Sequence, residues 1–174
     1  MAYVRWMVRR DMPRILAIEN QSFEFPWPEE EFLYWLRQKN IYGMTAEFDD
    51  WVIGFVIYQF RQTSFQLLNL AVSGAYRHRG VGSLIVSKLA KRLCCRSQRT
   101  RIVTEVRETN LPALSFFRSL GFHAVSILRG YYSDTSEDAY LMCYRLPPEA
   151  PEATGTLPEP NILEKIARAL HLVT

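Results

Sequence analysis

Cysteine and histidine are scarce in this sequence, with three of each among 174 residues. The cysteines are Cys94, Cys95 and Cys143, and the histidines are His78, His123 and His171. The cysteine count is odd and no Cys-x-x-Cys pair occurs, which argues against a disulfide framework and against a zinc site. The histidines offer no pair of ligands at helical spacing. We therefore predict no bound metal and a location in the reducing cytoplasm.

Long apolar runs and a strong charge of one sign are also lacking. No stretch is apolar over the length of a bilayer, and residues 1–10 carry arginines among apolar residues without the continuous apolar core of a signal peptide. The formal net charge is +3 at pH 7, which is too small to indicate a nucleic-acid partner. We therefore expect no membrane association and no direct binding of nucleic acid.

The composition is that of one globular domain, since hydrophobic residues make up 48% and charged residues 22% of the chain. Apolar periodicity predicts strands over 3–8, 41–48, 51–60, 65–72, 101–106, 126–129 and 139–145, and helices over 11–23, 28–36, 80–95 and 111–120. Their order is β-α-α-β-β-β-α-β-α-β-β. It predicts an α+β fold, in which helices flank a mostly antiparallel central sheet with one parallel strand pair.

The chain beyond residue 146 differs in composition. Prolines and acidic residues dominate residues 147–160, which we interpret as an extended linker. Asn161 then opens an amphipathic stretch, 161–174, which predicts a short helix that would be marginal alone. Residues 1–146 are thus the predicted domain. The terminal helix docks on that domain or on a partner, or it remains a frayed surface tail.

Two glycines follow the fourth predicted strand and open the next helix. Gly80 and Gly82 would let backbone N–H groups approach an anion, and the helix dipole would add attraction. Arg77 and Arg79 lie beside them and could add charge-assisted hydrogen bonds. The Walker pattern and the dinucleotide fingerprint are both absent. The pattern therefore indicates another kind of pyrophosphate cradle, or only two glycines that begin a helix.

Several motifs together carry a family resemblance. They are Arg77-x-x-Gly80-x-Gly82, Asn110-x-x-Ala113 with Gly121-Phe122, Ile18-Glu19 with Pro26-Trp27, Asn69-Leu70-Ala71-Val72, Glu105-Val106-Arg107 and Arg129-Gly130-Tyr131-Tyr132. The first two resemble the acetyl-CoA-binding core of the GNAT superfamily of N-acetyltransferases. The others are similar to its RimI branch, the ribosomal-protein-alanine N-acetyltransferases. The resemblance covers residues 1 to about 145.

The resemblance implies a GNAT fold whose sheet is splayed between the fourth and fifth strands. It also implies acetyl-CoA as the acetyl donor and a protein N-terminus as the acceptor, which in the RimI branch is the N-terminal alanine of a small-subunit ribosomal protein. The implied cofactor-binding residues are Leu70, Ala71, Val72, Arg77, His78, Arg79, Gly80, Val81, Gly82, Ser83, Asn110 and Phe117. Asn110 has an alternative role as the N-cap of the following helix.

Glu105 matches the position of the RimI catalytic glutamate and is the predicted general base, acting directly or through water. Alternatively it is a surface carboxylate paired with Arg101 or Arg107. The resemblance also implies that a backbone N–H of the strand around Ala71 and Val72 polarises the thioester carbonyl, at a bulged and splayed strand.

One residue departs from the family pattern. RimI-like enzymes place a general-acid tyrosine where this sequence has Phe117, which has no proton to give. We predict that Tyr132 supplies that proton, with Tyr131 or a water as alternatives. The segment 131–132 and the loop 25–27 would flank the acceptor groove, although core packing is the more ordinary role for Trp27.

Three functions stay open from the sequence. The favoured one is acetylation of a protein α-amine, whose pKa of about 7.7–8.0 asks little of a base. The second is acetylation of a small amine or of a lysine, whose pKa near 10.4 would demand a stronger base. The third is a sensor that binds acetyl-CoA without turnover, and Phe117 is the feature in its favour.

Overall fold

A computed structural model describes residues 1–93 and 98–147. The strands are β1 (Tyr3–Trp6), β2 (Ile41–Phe48), β3 (Trp51–Phe60), β4 (Ser64–Val72), β5 (Arg101–Arg107), β6 (His123–Tyr132) and β7 (Glu137–Arg145). The helices are α1 (Met12–Ser22), α2 (Glu29–Leu36), α3 (Val81–Ala90) and α4 (Leu111–Ser119). The predicted linker 147–160, apart from Pro147, and the predicted helix 161–174 lie outside the described residues, as do Cys94 and Cys95.

The strands form one seven-stranded sheet in the order β1-β2-β3-β4-β5-β7-β6. All neighbouring pairs are antiparallel except β4 and β5, which run parallel. The predicted α+β class and the single parallel pair are therefore confirmed. The β2–β3 hairpin turns at Asp49 and Asp50, whose φ angles of 48° and 63° fit the tight turn that joins two right-twisted strands.

Both faces of the sheet are covered, and β3 shows how one strand serves both. Val56 and Tyr58 pack into the cluster that holds α3 and α4, whereas Phe55 and Ile57 pack into the cluster that holds α1 and α2. Side chains alternate between the two faces of a strand, so an apolar strand of this kind belongs at the centre of a sheet. The site described below lies where both helix layers meet the middle of this sheet.

The last hairpin is longer than predicted. The structure extends β6 over His123–Tyr132 rather than 126–129, and β7 begins at Glu137 rather than at 139. β6 is the edge strand, and nearly all its residues are exposed. Because both of its faces meet solvent, its ends lack the apolar alternation by which strands are recognised in sequence.

The β4–β5 pairing is short, and this creates an opening. The parallel ladder joins Ser64–Leu67 to Arg101–Thr104 and then stops. On its other edge β4 stays paired with β3 as far as Val72, but Leu68 is skipped in the register and forms a bulge. A bulge bends its strand. The two strands therefore diverge beyond Leu67, which confirms the predicted splay.

Candidate active site

A groove of about 920 Å³ lies where β4 and β5 separate. It is bounded by α1 and the loop after it, by β4 and β5, by the N-termini of α3 and α4, and by the end of β6. Every residue predicted from the sequence as catalytic or cofactor-binding lines this one groove: Leu70, Ala71, Val72, Arg77, His78, Arg79, Gly80, Val81, Gly82, Ser83, Glu105, Asn110, Phe117 and Tyr132. Its size is that of a cleft for a cofactor-sized ligand.

The predicted cradle is the turn between β4 and α3. Gly80 is the residue before α3 and adopts the left-handed conformation, with φ 78° and ψ 0°. The N–H groups of the first turn of α3 have no partner within the helix, so they are donors at its positive end. Residues 81–83, which carry those groups, face the groove.

Gly82 has a second reason to be glycine. A Cβ atom built at this position would lie 3.0 and 3.1 Å from two ring atoms of Phe116 on α4. Contacts this short are tighter than ordinary van der Waals packing. The missing side chain therefore lets α3 and α4 approach each other at the mouth of the groove.

Arg77 is tied to the protein on two sides. Its Nε donates to the backbone oxygen of Val72 at 3.0 Å, and its terminal nitrogen donates to Ser22 Oγ at 2.9 Å. It thus joins the end of β4 to the end of α1. Arg79 is exposed, with its guanidinium 5.8 Å from the ring centre of Tyr76. The cradle therefore contains one arginine with structural contacts and one that projects into solvent.

Asn110 caps α4, because its Oδ1 accepts a hydrogen bond of 3.1 Å from the N–H of Ala113. The N-cap alternative is thereby confirmed, and the side chain also lines the groove. Phe117 lies about two turns further along α4, and its side chain is only 5% exposed. Its ring packs 5.1 Å from those of Phe116 and Phe122. It therefore contributes an apolar wall and no transferable proton.

Glu105 lies in the middle of β5, one residue beyond Thr104, where the pairing of β5 with β4 stops. Gln66 Nε2 donates a hydrogen bond to its Oε2. Burial raises the pKa of Glu105, and its own backbone N–H, the charge of Arg61 and the Gln66 amide oppose that rise. A carboxyl group with a raised pKa in a groove is the arrangement expected of a general base.

The alternative ion pairs of Glu105 are not formed. Arg101 donates instead to Thr63 Oγ1 at 2.8 Å. Arg107 forms ion pairs with Asp134 and Glu137, the latter at 2.7 Å. The two arginines that could have made Glu105 an ordinary surface carboxylate are therefore engaged elsewhere.

Tyr132 ends β6 beside Glu105. Its hydroxyl donates to the backbone oxygen of Glu105 at 3.4 Å, and its ring lies 3.8 Å from the guanidinium of Arg107. Burial raises the pKa of Tyr132 to about 12, so the hydroxyl keeps its proton at any working pH. Tyr131 is 49% exposed and touches the edge of the Tyr132 ring. Of the two tyrosines, Tyr132 is the one that lines the groove.

Arg107 organises this wall of the groove, a role that the sequence reading missed. Besides its two ion pairs it donates to Thr135 Oγ1 at 2.7 Å, and its guanidinium lies 5.5 Å from the ring centre of Phe25. It thereby links the loop after α1 to the β6–β7 turn. The segment 133–138 falls between the last two predicted strands, and we predicted no function for it. The available signal was the concentration of acidic residues in this segment, together with an arginine at the end of β5 that could pair with them.

A buried carboxyl group, Glu19 on α1, was also missed. It is 1% exposed, and its Oε1 accepts hydrogen bonds from the N–H of Trp27 at 2.9 Å and from Asn69 Nδ2 at 3.0 Å. Among the described residues, Glu19 Oε2 and Asn69 Oδ1 are buried without a hydrogen-bond partner. Glu19 therefore joins the loop after α1 to β4 beside the bulge. Glu19 belongs to the Ile18-Glu19 motif, but that motif alone does not indicate which groups surround the carboxyl group.

Trp27 has the packing role that was preferred for it. Its ring lies 5.4 Å from Phe32 and stacks at 6.1 Å on Trp35 of α2. Phe25, two residues earlier, is exposed and lines the groove. The loop is thus anchored by one aromatic residue and presents another.

Comparison with known proteins decides the family. The sequence model described as the acetyltransferase (GNAT) family matches residues 12–122. The chain belongs to the GNAT family. This GNAT acetyltransferase is 31% identical over 134 residues to the [ribosomal protein bS18]-alanine N-acetyltransferase of Salmonella typhimurium, a match that covers 76% of this chain and 89% of that protein.

Two further similarities cover most of this GNAT acetyltransferase. The N-alpha-acetyltransferase of Sulfurisphaera tokodaii is 28% identical over 144 residues, covering 76% of this chain and 86% of that protein. The crystal structure of the ribosomal-protein-S18-alanine N-acetyltransferase from Escherichia coli superposes with a TM-score of 0.75 at 26% identity, covering 89% of this chain and 100% of that one. The protein is therefore an acetyl-CoA-dependent N-acetyltransferase of the RimI type.

The groove of this GNAT acetyltransferase fits acetyl-CoA as the acetyl donor. At one end, the left-handed Gly80 and the N-terminus of α3 supply backbone N–H donors of the kind that can bind an anion. Beyond Leu67 the edge of β4 that faces β5 has no strand partner, so a pantetheine arm can lie along it like an added strand. Within residues 1–93 and 98–147, no group of three or more His, Cys, Asp and Glu side chains could hold a metal ion. No helix described here is long and apolar enough to span a membrane.

Replacing Gly80 with alanine is expected to weaken acetyl-CoA binding by about 5–30-fold and to lower the stability of this GNAT acetyltransferase. An L-residue in the left-handed region costs about 1–2 kcal/mol, and relief of that strain would disturb the cradle. Calorimetric titration with acetyl-CoA and a thermal melt measure the two effects. Gly74→Ala is the matched control, because a Cβ atom there meets nothing within 4 Å. Equal affinities for both variants would contradict a role of the left-handed turn.

Replacing Glu19 with glutamine is expected to stabilise the protein at pH 8 and to change little near pH 4. Burial raises the pKa of Glu19, so between its ordinary and raised values the native state holds a proton that the unfolded state has lost. Stability therefore falls as the pH rises through that interval. Glutamine does not titrate in that interval, and its amide can donate to Asn69 Oδ1. This removes the cost of leaving that buried oxygen without a hydrogen bond, which is about 1–3 kcal/mol.

Urea denaturation of Glu19→Gln and the parent protein at both pH values tests this. Glu30→Gln, an exposed change in the first turn of α2, is the control and should alter stability little. A Glu19→Gln protein that is less stable than the parent at pH 8 would mean that the ionised carboxylate is the required form.

Proposed function

We propose that this enzyme transfers the acetyl group of acetyl-CoA to the α-amino group of a protein N-terminus, specifically the N-terminal alanine of a small-subunit ribosomal protein. The observation that carries the proposal is the carboxyl group of Glu105, which lies in the groove just beyond the last β4–β5 rung. A carboxylate is a weak base, and it suits an amine with a pKa of about 7.7–8.0 because a fraction of that amine is already neutral near pH 7. The names of the Salmonella and Escherichia coli relatives support alanine as the first acceptor residue to test. Such an acceptor would place the reaction in the cytoplasm.

In the proposed reaction the amine nitrogen attacks the thioester carbonyl, a new C–N bond forms and the C–S bond breaks. Glu105 accepts the proton that the nitrogen loses. A backbone N–H of β4 around Ala71 and Val72 hydrogen-bonds the carbonyl oxygen as its negative charge develops. Tyr132 donates the proton that the departing sulfur gains. The bulge at Leu68 turns β4 away from β5 and opens the place where these groups converge.

The groove walls support a peptide acceptor over a small amine. Phe25 lies on the loop after α1, Tyr132 lies on β6, and Arg107 contacts both aromatic rings from β5. An extended peptide can run along two such walls and hydrogen-bond through its backbone. A lysine side chain would also reach the groove, but its pKa near 10.4 would leave Glu105 a far more difficult deprotonation.

A sensor that binds acetyl-CoA without turnover is the second candidate function. Phe117 favours it, because its buried ring offers no proton where the RimI-like pattern has a tyrosine. Tyr132, with its hydroxyl protonated beside Glu105, argues for an active enzyme.

The test is to incubate the full chain with acetyl-CoA and peptides that begin with Ala, Ser or Met, and with an N-terminally blocked peptide that contains lysine. Products are identified by mass and by fragment sequencing. Acetylation of the α-amine of the alanine peptide supports the proposal. Transfer only to lysine or to a small amine would overturn it. Binding of acetyl-CoA without any transfer would support the sensor.

A further inference from the structure

Gln66 lies on β4 directly beside the proposed base. It is paired with Val103 in the parallel β4–β5 ladder, and the last rung of that ladder joins Leu67 to Thr104. Glu105 is the next residue of β5, so it stands at the point where the strands part. Gln66 is only 2% exposed. A primary amide buried at this point needs a specific partner.

The partner is the Glu105 carboxylate. Gln66 Nε2 donates to Glu105 Oε2. The opposite orientation of the amide would set its carbonyl oxygen against the carboxylate, so the charge of Glu105 itself selects the donor side. Within the described residues no side chain donates to Glu105 Oε1. One oxygen is thus held and the other is left to receive a proton.

A glutamate needs such a contact if it is to act as a base in a fixed direction. The terminal torsion of a glutamate side chain is broad, so packing of the stem does not define where the two oxygens point. A hydrogen bond to one oxygen defines both positions. A charged acceptor also makes this hydrogen bond stronger than one between neutral groups.

We propose that Gln66 is a positioning residue for acetyl transfer, which holds Glu105 Oε2 so that Oε1 faces the acceptor amine in the groove. The inference rests on the proposed role of Glu105 as the base. It adds a residue that touches neither acetyl-CoA nor the acceptor and acts through Glu105.

The pH profile separates this role from a purely structural one. Burial raises the pKa of Glu105, and the Gln66 N–H opposes that rise by favouring the ionised form. Loss of the donor should therefore move the acid limb of the profile of kcat/KM to higher pH. A hydrogen bond to a charged group corresponds to a shift of about one pH unit.

The main variant is Gln66→Met, which keeps a similar shape and removes the donor. We expect kcat near pH 7 to fall about tenfold, the acid limb to rise by about one pH unit, and the KM for acetyl-CoA to stay unchanged. Gln66→Asn is the second variant, since its amide is one methylene too short to reach Oε2. Gln66→Asn should show the same loss of kcat and the same shift of the acid limb, and it provides the test if Gln66→Met folds poorly.

Controls separate failure of this inference from failure of the proposed function. Gln38→Met, which loses an exposed amide at the end of α2, should retain the parent rate and pH profile. Gln66→Met added to Glu105→Gln should cause no further loss, because the group that it positions is gone. Full activity and an unshifted limb in Gln66→Met, with Glu105→Gln inactive, would overturn the positioning role alone. An active Glu105→Gln protein would overturn both the positioning role of Gln66 and the role of Glu105 as the base, whereas the proposed acceptor is tested separately with the peptides.

Discussion

Glu105→Gln is expected to lower kcat by about 10²–10⁴-fold, with acetyl-CoA affinity unchanged. Glutamine has nearly the same shape, and its amide oxygen can still accept the hydrogen bond from Gln66. It cannot accept the proton of an attacking amine. The loss should therefore appear in kcat rather than in binding. Steady-state kinetics with the alanine peptide and calorimetric titration with acetyl-CoA measure the two quantities.

The pH dependence gives a second signature of Glu105. Because burial raises its pKa, the base form is lost at a higher pH than in an exposed glutamate. Activity of the parent protein should fall as the pH drops through that raised pKa, and the residual activity of Glu105→Gln should lack this acid limb. The acceptor amine, with a pKa of about 7.7–8.0, contributes a separate limb in both proteins.

The control for Glu105→Gln is Glu108→Gln, three residues along the chain. Glu108 is exposed, and its Oε1 accepts a hydrogen bond of 3.2 Å from the N–H of Asp138, which a glutamine oxygen can also accept. This variant should retain the parent rate. A Glu105→Gln protein as active as Glu108→Gln would mean that another group, or water alone, removes the proton.

The fold was predictable from sequence because its central elements are strongly patterned. The apolar run of β3 and the turn at Asp49-Asp50 have local causes, and the glycines at the start of α3 carry the family signature. β6 was underestimated for an equally physical reason. An edge strand exposed on both faces has no apolar alternation, so its pairing with β7 rather than its side chains extends it over ten residues.

The groove was predictable to the extent that single motifs carry it. The predicted cradle residues and Glu105 line one cavity. The contacts that orient them were not identified. Glu19 and Asn69 are fifty positions apart, and Gln66 lies thirty-nine positions before Glu105. The first pair meets only because α1 packs on the sheet, and the second meets only through the register of β4 with β5.

Tyr132→Phe is expected to lower kcat by about 10²-fold, provided that Tyr132 protonates the departing thiolate. The hydroxyl donates to the backbone oxygen of Glu105 and, with its pKa raised to about 12, remains protonated. Phenylalanine preserves the ring and its contact with Arg107. The change therefore removes one proton donor and little packing. Tyr131→Phe, an exposed neighbour outside the groove lining, should retain the parent rate.

Phe117→Tyr places a hydroxyl where the RimI-like pattern has its general acid. The variant therefore gives a second test of whether Tyr132 is the proton donor. If Tyr132 is the donor, Phe117→Tyr alone should change kcat little, but it should recover most of the activity that Tyr132→Phe has lost. A large gain from Phe117→Tyr alone would mean that the natural protein lacks an acid. An unaffected Tyr132→Phe protein that Phe117→Tyr does not accelerate would assign the proton to water. Since a thiolate is already a fair leaving group, the recovery is best measured above pH 8, where hydronium ions and protonated buffer are scarcer as alternative proton donors.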